Sequence, residues 1–195
     1  MQMRRDARLA GLEGFTIEAS RAKNFLAGPA MITLEPLTPE NALVFKSARL
    51  CALQDAPRAF AATYQDESRL TDGDWIRRAG QWSGARSRSF LALDQGAACG
   101  IVGGFLDPQD AIRAQLVSMW VAPAHRRLGV GTQLVGAIVD WARAEKARLL
   151  RLVVTSNNQP AIRFYRRLGF TLTARIGPYR NDPLLDDLEM IRPLC

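Results

Sequence analysis

Residues 121–135 read VAPAHRRLGVGTQLV. An apolar run stops at Pro123, two adjacent arginines follow, and Gly129 and Gly131 stand just ahead of the apolar pair Leu134 and Val135. A helix leaves its first backbone N–H groups without internal partners, and its dipole makes that end partly positive. Glycines at such a junction let an anion approach the backbone closely. Residues 126–132 therefore read as an anion cradle between a strand and a helix, with Arg126 and Arg127 adding charge. A pyrophosphate is its natural occupant. The same residues also fit a plain tight turn. The third glycine of the dinucleotide fingerprint is missing, and no Gly-Lys-Ser/Thr supports a nucleotide P-loop.

The flanking periodicities place the loop. Upstream, AQLVSMWV (114–121) predicts a strand, with Leu116, Ser118 and Trp120 on one face and Val117, Met119 and Val121 on the other. Downstream, Val130, Leu134, Val135, Ile138, Trp141 and Ala142 follow helical spacing, and LLRLVV (149–154) is a short buried strand. Strand, crossover helix and strand form a right-handed βαβ unit. A second helix over 158–168 ends at Gly169, where positive φ is wanted. Strands at 170–176 and 188–191 follow.

Before the loop, a strand opens at Met31. A helix follows Thr38-Pro39, marked by Leu43, Ala48, Leu50 and Leu53, and a further helical piece holds Asp74-Trp75-Ile76. SFLALD (89–94) and ACGIVGGFLD (98–107) read as a hairpin turning at Gln95-Gly96. Residues 1–29 lack sustained periodicity and read as a loosely attached extension; 30–195 read as one mixed α/β domain.

Composition narrows the function. The chain has 195 residues, a net charge of +7 and three widely spaced cysteines, Cys51, Cys99 and Cys195. That pattern is neither a disulfide framework nor a zinc site, so no metal is expected and a reducing cytoplasm is the expected home. No apolar run approaches the ~20 residues that span a bilayer, and no secretory signal is recognisable. Residues 122–180 hold eleven Arg/Lys and two acids, a local charge of +9. A localised excess of this kind suits an anionic ligand as well as a solvated surface. Nucleic acid is not favoured, because no basic run is interleaved with aromatics.

Arg126-Arg127-Leu128-Gly129-Val130-Gly131 resembles the Arg/Gln-x-x-Gly-x-Gly/Ala motif of the GNAT superfamily of N-acetyltransferases. LRLVVTSNNQPAIRFYRRLGF (150–170) is similar to that family's next strand and helix, including Asn-x-x-Ala and a tyrosine followed by Gly-Phe. The resemblance covers about residues 114–172. It implies a mixed sheet splayed between strands 4 and 5 and flanked by helices, with acetyl coenzyme A as the donor. The donor's pyrophosphate would lie on Arg126, Arg127, Leu128, Gly129, Val130, Gly131 and Thr132. Its pantetheine arm would run beside Met119 and Val121, and Asn158 matches a position that hydrogen-bonds that arm. Tyr165 matches a tyrosine placed near the sulfur as a general acid, and the Val121 N–H is the expected donor to the developing oxyanion. The acceptor would be a primary amine of a small molecule or a protein N-terminus, attacking directly. A homodimer is left open.

Plainer readings stand beside these. Tyr165 packs as well as it donates, and Asn158 suits a helix cap, compatible with a ligand role if Asn157 does the capping. Trp120 reads as a pocket wall or as core. His125, the single histidine, reads as exposed. Many family members carry a glutamate on the fourth strand, whereas residues 114–121 hold no carboxylate. Glu67, Asp66, Asp107 or Asp110 could act as base through a water, or no dedicated base is needed. The missing glutamate keeps open an alternative: a non-catalytic acyl coenzyme A-binding module acting as sensor or interaction partner.

Overall fold

The computed structural model describes residues 31–179, 182 and 184–194. The expected extension, 1–29, lies outside the described residues, as does Cys195. A seven-stranded mixed sheet runs in the order β1 (Ile32–Pro36), β2 (Ser87–Asp94), β3 (Ala97–Leu106), β4 (Arg113–Val121), β5 (Leu149–Thr155), β7 (Asp186–Pro193) and β6 (Thr171–Pro178). The β4–β5 pairing is parallel and the other five are antiparallel. Helices α1 (Ala42–Asp55), α2 (Tyr64–Glu67) and α3 (Asp72–Gln81) lie between β1 and β2 in sequence. Helix α4 (Val130–Ala144) crosses from β4 to β5, and α5 (Gln159–Arg167) joins β5 to β6.

The predicted elements form for the reasons their sequences suggest. Gln95 and Gly96 both take positive φ (50° and 82°), as a two-residue hairpin turn of matching twist requires. Gly169 stops the chain after α5 at φ 84°. Helix α4 buries Val130, Leu134, Val135, Ile138, Val139, Trp141 and Ala142 as one stripe against the sheet. On the opposite face, α1 buries Ala42, Phe45, Ala48, Arg49, Ala52 and Leu53. Of the residues that marked α1 in the sequence, Leu43 faces out, 46% exposed, because the buried stripe is set by small alanines around Phe45.

One sequence reading is corrected. Strand β4 does not alternate from end to end. Its partners on β3 step from Ile101 to Gly103 while β4 steps from Trp120 to Val117, so β4 carries a bulge, with Ser118 at φ 54°. The extra residue shifts the alternation. Trp120 therefore joins the core beneath α1, whereas Leu116 packs in the core beneath α4, and the two are not on one face.

Helix α4 sits close because β3 offers no side chain there. A Cβ on Gly104 would lie 2.8 Å from Trp141 Cζ3 and 3.2 Å from Ile138 Cδ1. Gly104→Ala is expected to destabilise the protein by about 1–3 kcal/mol through overpacking. The midpoint of urea unfolding reads this out; an unchanged midpoint would mean that α4 shifts freely on the sheet.

Candidate active site

The sheet opens where β4 and β5 part. They pair at three positions only: Arg113 with Leu149, Ala114 with Leu150, and Gln115 with Arg151. The Arg151 guanidinium pins the vertex by donating twice to Gln115 Oε1, at 3.0 and 2.7 Å. Beyond it β5 pairs with β7 as far as Thr155, and β4 continues alone on that side to Val121. A cleft of about 690 Å³ fills the opening. Its lining includes Ser118 and Met119 of β4, Val153 and Thr155 of β5, and Asn158 and Tyr165 around α5.

The cleft is lined on β4 as far as Met119, and the strand runs two residues further. The Ala122 amide donates to the Cys99 carbonyl at 2.8 Å, and Val121 stands opposite Gly100. Directly bonded and unbonded pairs alternate along an antiparallel ladder. Val121 is thus an unbonded position, with N–H and C=O directed away from β3 and towards the opening. Its carbonyl accepts from Arg126 Nε at 3.0 Å.

The glycine loop follows. Gly129 is the N-cap of α4 at φ 83°, and Arg127 takes φ 67°. The Gln133 amide closes the first helical bond, to the Gly129 carbonyl at 3.1 Å, so the preceding amides form the free end of a fifteen-residue helix. A Cβ on Gly129 would meet nothing within 4 Å, which leaves that end open. Gly131 is tight instead: a Cβ there would lie 3.1 Å from both Met119 Cε and Phe164 Cζ. It lets β4, α4 and α5 converge. The two arginines divide. Arg126 is committed to the Val121 carbonyl and to Asp55, which also accepts from the Trp120 indole at 2.8 Å. Arg127 is exposed and, among the described residues, has no ion pair.

One smaller reading changes and two are decided. His125 is half-buried rather than exposed: its Nε2 lies 2.9 Å from Asp94 Oδ2, and Nδ1 is buried without a partner among the described residues. The pair ties the loop to the end of β2. Asn158, not Asn157, caps α5, its Oδ1 accepting from the Ala161 amide at 3.2 Å. Capping occupies the oxygen and leaves the side-chain NH₂ on the cleft side. Trp120 is core and does not line the cleft.

Tyr165 is buried, its ring 5.2 Å from Phe164 and 5.6 Å from Phe170. Burial pushes its phenol well above the ordinary value, so the group keeps its proton.

Of the four carboxylates considered as bases, Glu67 alone lines the cleft. It is buried between two guanidiniums: Arg49 Nε at 2.9 Å from Oε2, and Arg78 Nη1 at 3.0 Å from Oε1. Asp66 is spent on Thr63, while Asp107 and Asp110 sit in the β3–β4 turn, at the end of β4 remote from the glycine loop. Asp187, at the start of β7, also lines the cleft and was not singled out from the sequence. Burial raises its carboxyl above the usual range. A hint lay in DDLEM (186–190), where Asp187 and Glu189 alternate with the inward Leu188 and Met190. Among the described residues, no group of His, Cys, Asp and Glu is arranged to hold a metal ion, and no helix is long and apolar enough to cross a membrane.

The sequence profile described as the acetyltransferase (GNAT) family matches residues 51–170. A streptothricin acetyltransferase of Streptomyces lavendulae is 39% identical over 89 residues, 44% of this chain and 46% of the relative. The chain thus spans about half or less of the length of the first curated relatives it matches. Among solved structures, an acetyltransferase of the GNAT family from Streptococcus pneumoniae superposes with a TM-score of 0.70 at 19% identity, over 83% of this chain and 99% of the other. A Salmonella typhimurium protein solved with its cofactor acetyl-CoA gives 0.70 at 18% identity, over 84% and 94%. At these identities the structural likeness speaks for the fold.

Proposed function

The chain belongs to the acetyltransferase (GNAT) family, and on that premise we propose that it transfers an acetyl group from acetyl coenzyme A to a primary amine. The observation that carries the reading is a convergence. Tyr165 lines the opening between β4 and β5, the Val121 N–H at the splayed end of β4 is turned away from β3, and the open glycine-rich start of α4 follows Val121 in the chain. Relatives named as acetylating streptothricin, methionine sulfoximine and aminoglycosides support an amine acceptor. The relative fold solved with acetyl-CoA supports the donor.

The residues present suit such a donor. The amides of 127–132 and the Arg127 side chain would hold its pyrophosphate, and Arg126 would act indirectly by fixing the Val121 carbonyl. Met119, Val121 and the Asn158 side-chain amide would hold the pantetheine arm. When bound, acetyl coenzyme A supplies an acetyl group activated as a thioester. The Val121 N–H stabilises charge developing on the carbonyl oxygen, where a preorganised donor acts most strongly. Tyr165 would give its proton to the departing sulfur, and the proton shed by the attacking nitrogen would restore the phenol through solvent. Holding amine and thioester together supplies much of the remaining rate. We expect a cytoplasmic protein that needs no metal.

A second reading is binding without turnover, favoured by the lack of a carboxylate on β4. Thiol release with a panel of amine acceptors separates the two, since a pure binding module releases none. The donor site is tested on its own by calorimetric titration of acetyl coenzyme A. Gly129→Glu is expected to weaken binding about tenfold or more. The new side chain must adopt φ 83°, which L-residues disfavour, and it brings negative charge to the anion site. Equal affinity in the variant would remove the pyrophosphate from 126–132.

A further inference from the structure

The acceptor side of the cleft carries opposite charges on opposite walls. On one wall, a single carboxylate serves two guanidiniums. Arg49 engages Glu67 through both Nε (2.9 Å) and Nη2 (3.2 Å), stacks on Phe60 at 4.6 Å, and reaches Ser118 Oγ with Nη1 at 3.4 Å. Arg49 is therefore satisfied. Arg78 is not. Its Nη1 is buried, stands near Glu67 Oε1 without forming an aligned hydrogen bond, and has no other partner among the described residues. Its ring contacts, Trp75 at 5.0 Å and Trp82 at 5.8 Å, hold the guanidinium in place without supplying an acceptor. The cluster keeps one positive charge in excess, at a site where an unpaired charge is costly.

On the other wall stands Asp187. It is opposite Thr155 in the β5–β7 register and, among the described residues, has no cation or donor beside it. Its raised carboxyl reflects desolvation that a bound cation would offset. The same cleft is lined by Phe60, Trp82, Val153 and Tyr179, an aromatic and apolar surface.

Resting on the transferase reading, we propose that the acceptor is an amino acid held as the zwitterion, its carboxylate bound by Arg78 and its ammonium group by Asp187, the nitrogen losing a proton to solvent before it attacks. A planar guanidinium suits a carboxylate better than any other common anion of that size. An amine without a carboxylate would leave Arg78 sharing Glu67 with Arg49, and an amine bearing further positive charge would be repelled by the pair of guanidiniums. The apolar lining takes the side chain.

The test compares the common L-α-amino acids with their own carboxamides as acceptors, reading thiol release from acetyl coenzyme A. At least one acid should exceed its amide in kcat/KM by about tenfold or more, the worth of one charge-assisted hydrogen-bond pair. Arg78→Gln should erase that preference through KM, leave acetyl coenzyme A affinity unchanged, and yield to partial recovery in Arg78→Lys. Amides that match the acids, or a preference that survives Arg78→Gln, would overturn the proposal. The same pairs are titrated calorimetrically onto the protein loaded with coenzyme A, so that binding decides even where turnover is slow. Equal affinity for acid and amide there would overturn the acceptor alone. Failure of coenzyme A itself to bind would overturn the transferase reading and this proposal with it.

Discussion

Replacing Tyr165 by phenylalanine is expected to lower kcat roughly 10²-fold while acetyl coenzyme A affinity stays the same. Ile162 and Tyr165 form the buried side of α5, whereas Arg163, Arg166 and Arg167 face solvent. Ring packing against Phe164 and Phe170 survives the substitution, so only the hydroxyl is lost. A coenzyme A thiolate is already a fair leaving group, which puts the loss at the low end of general acid–base effects. The phenol is held protonated by burial, so the acid is available throughout the neutral range. Deprotonation of Tyr165 should therefore add no alkaline limb to the kcat profile near pH 7–9, around which an ordinary phenol is still protonated as well. Thiol-release kinetics and a separate calorimetric titration make the measurement. Full kcat in the variant would return Tyr165 to a packing role; lost binding at unchanged kcat would make its hydroxyl a coenzyme contact.

Glu67→Ala should destabilise the fold by about 3–5 kcal/mol, the usual cost of leaving a buried charge without its partner. Arg49 and Glu67 have side chains only 5% and 6% exposed, so water cannot replace the lost carboxylate without a rearrangement of α1 and α2. Removing both charges should cost much less. Arg49→Met combined with Glu67→Leu is expected to recover only part of the lost stability, because the apolar pair needs no partner while Arg78, whose side chain is 26% exposed, loses the carboxylate it shared and must turn to solvent. Urea unfolding of the two single variants and the double variant completes the cycle. A loss below about 1 kcal/mol in Glu67→Ala would show that the cluster is solvated, at the level of an exposed pair.

The part of the fold written locally was legible. Gly129 ahead of an apolar helical stripe, Gly169 after α5 and Gln95-Gly96 between two strands each do what short-range stereochemistry demands. The splay came from the family resemblance, and its register is a long-range matter that the sequence alone did not carry. The β4 bulge was invisible because nothing at Ser118 favours positive φ; it follows from how β3 and β4 must pair while β4 bends away from β5. That single residue moved Trp120 to the other core. His125 read as exposed because its partner, Asp94, lies thirty-one residues away. Glu67 could not be told from Asp66 by periodicity, since α2 has four residues. Asp187 sat among acids that resemble any solvated strand end. What identifies it is the far wall of the cleft, and no one-dimensional pattern contains that wall.

The parting of β4 and β5 has a consequence for how the chain behaves among other chains. A sheet usually has two edges, here β1 and β6, and unpaired edges invite strands from neighbouring molecules. The outer edge at β6 is blunted by an irregular register between Leu172 and Ile176, by Arg175 and by a closing Pro178. The parting creates two more edges, along β4 beyond Gln115 and along β5 beyond Arg151. Neither segment has a proline, and each offers bare backbone, the makings of an aggregation site. They are guarded by position. The two edges face one another across a wedge closed at the Gln115–Arg151 vertex, so a foreign strand cannot lie along either for more than its open end.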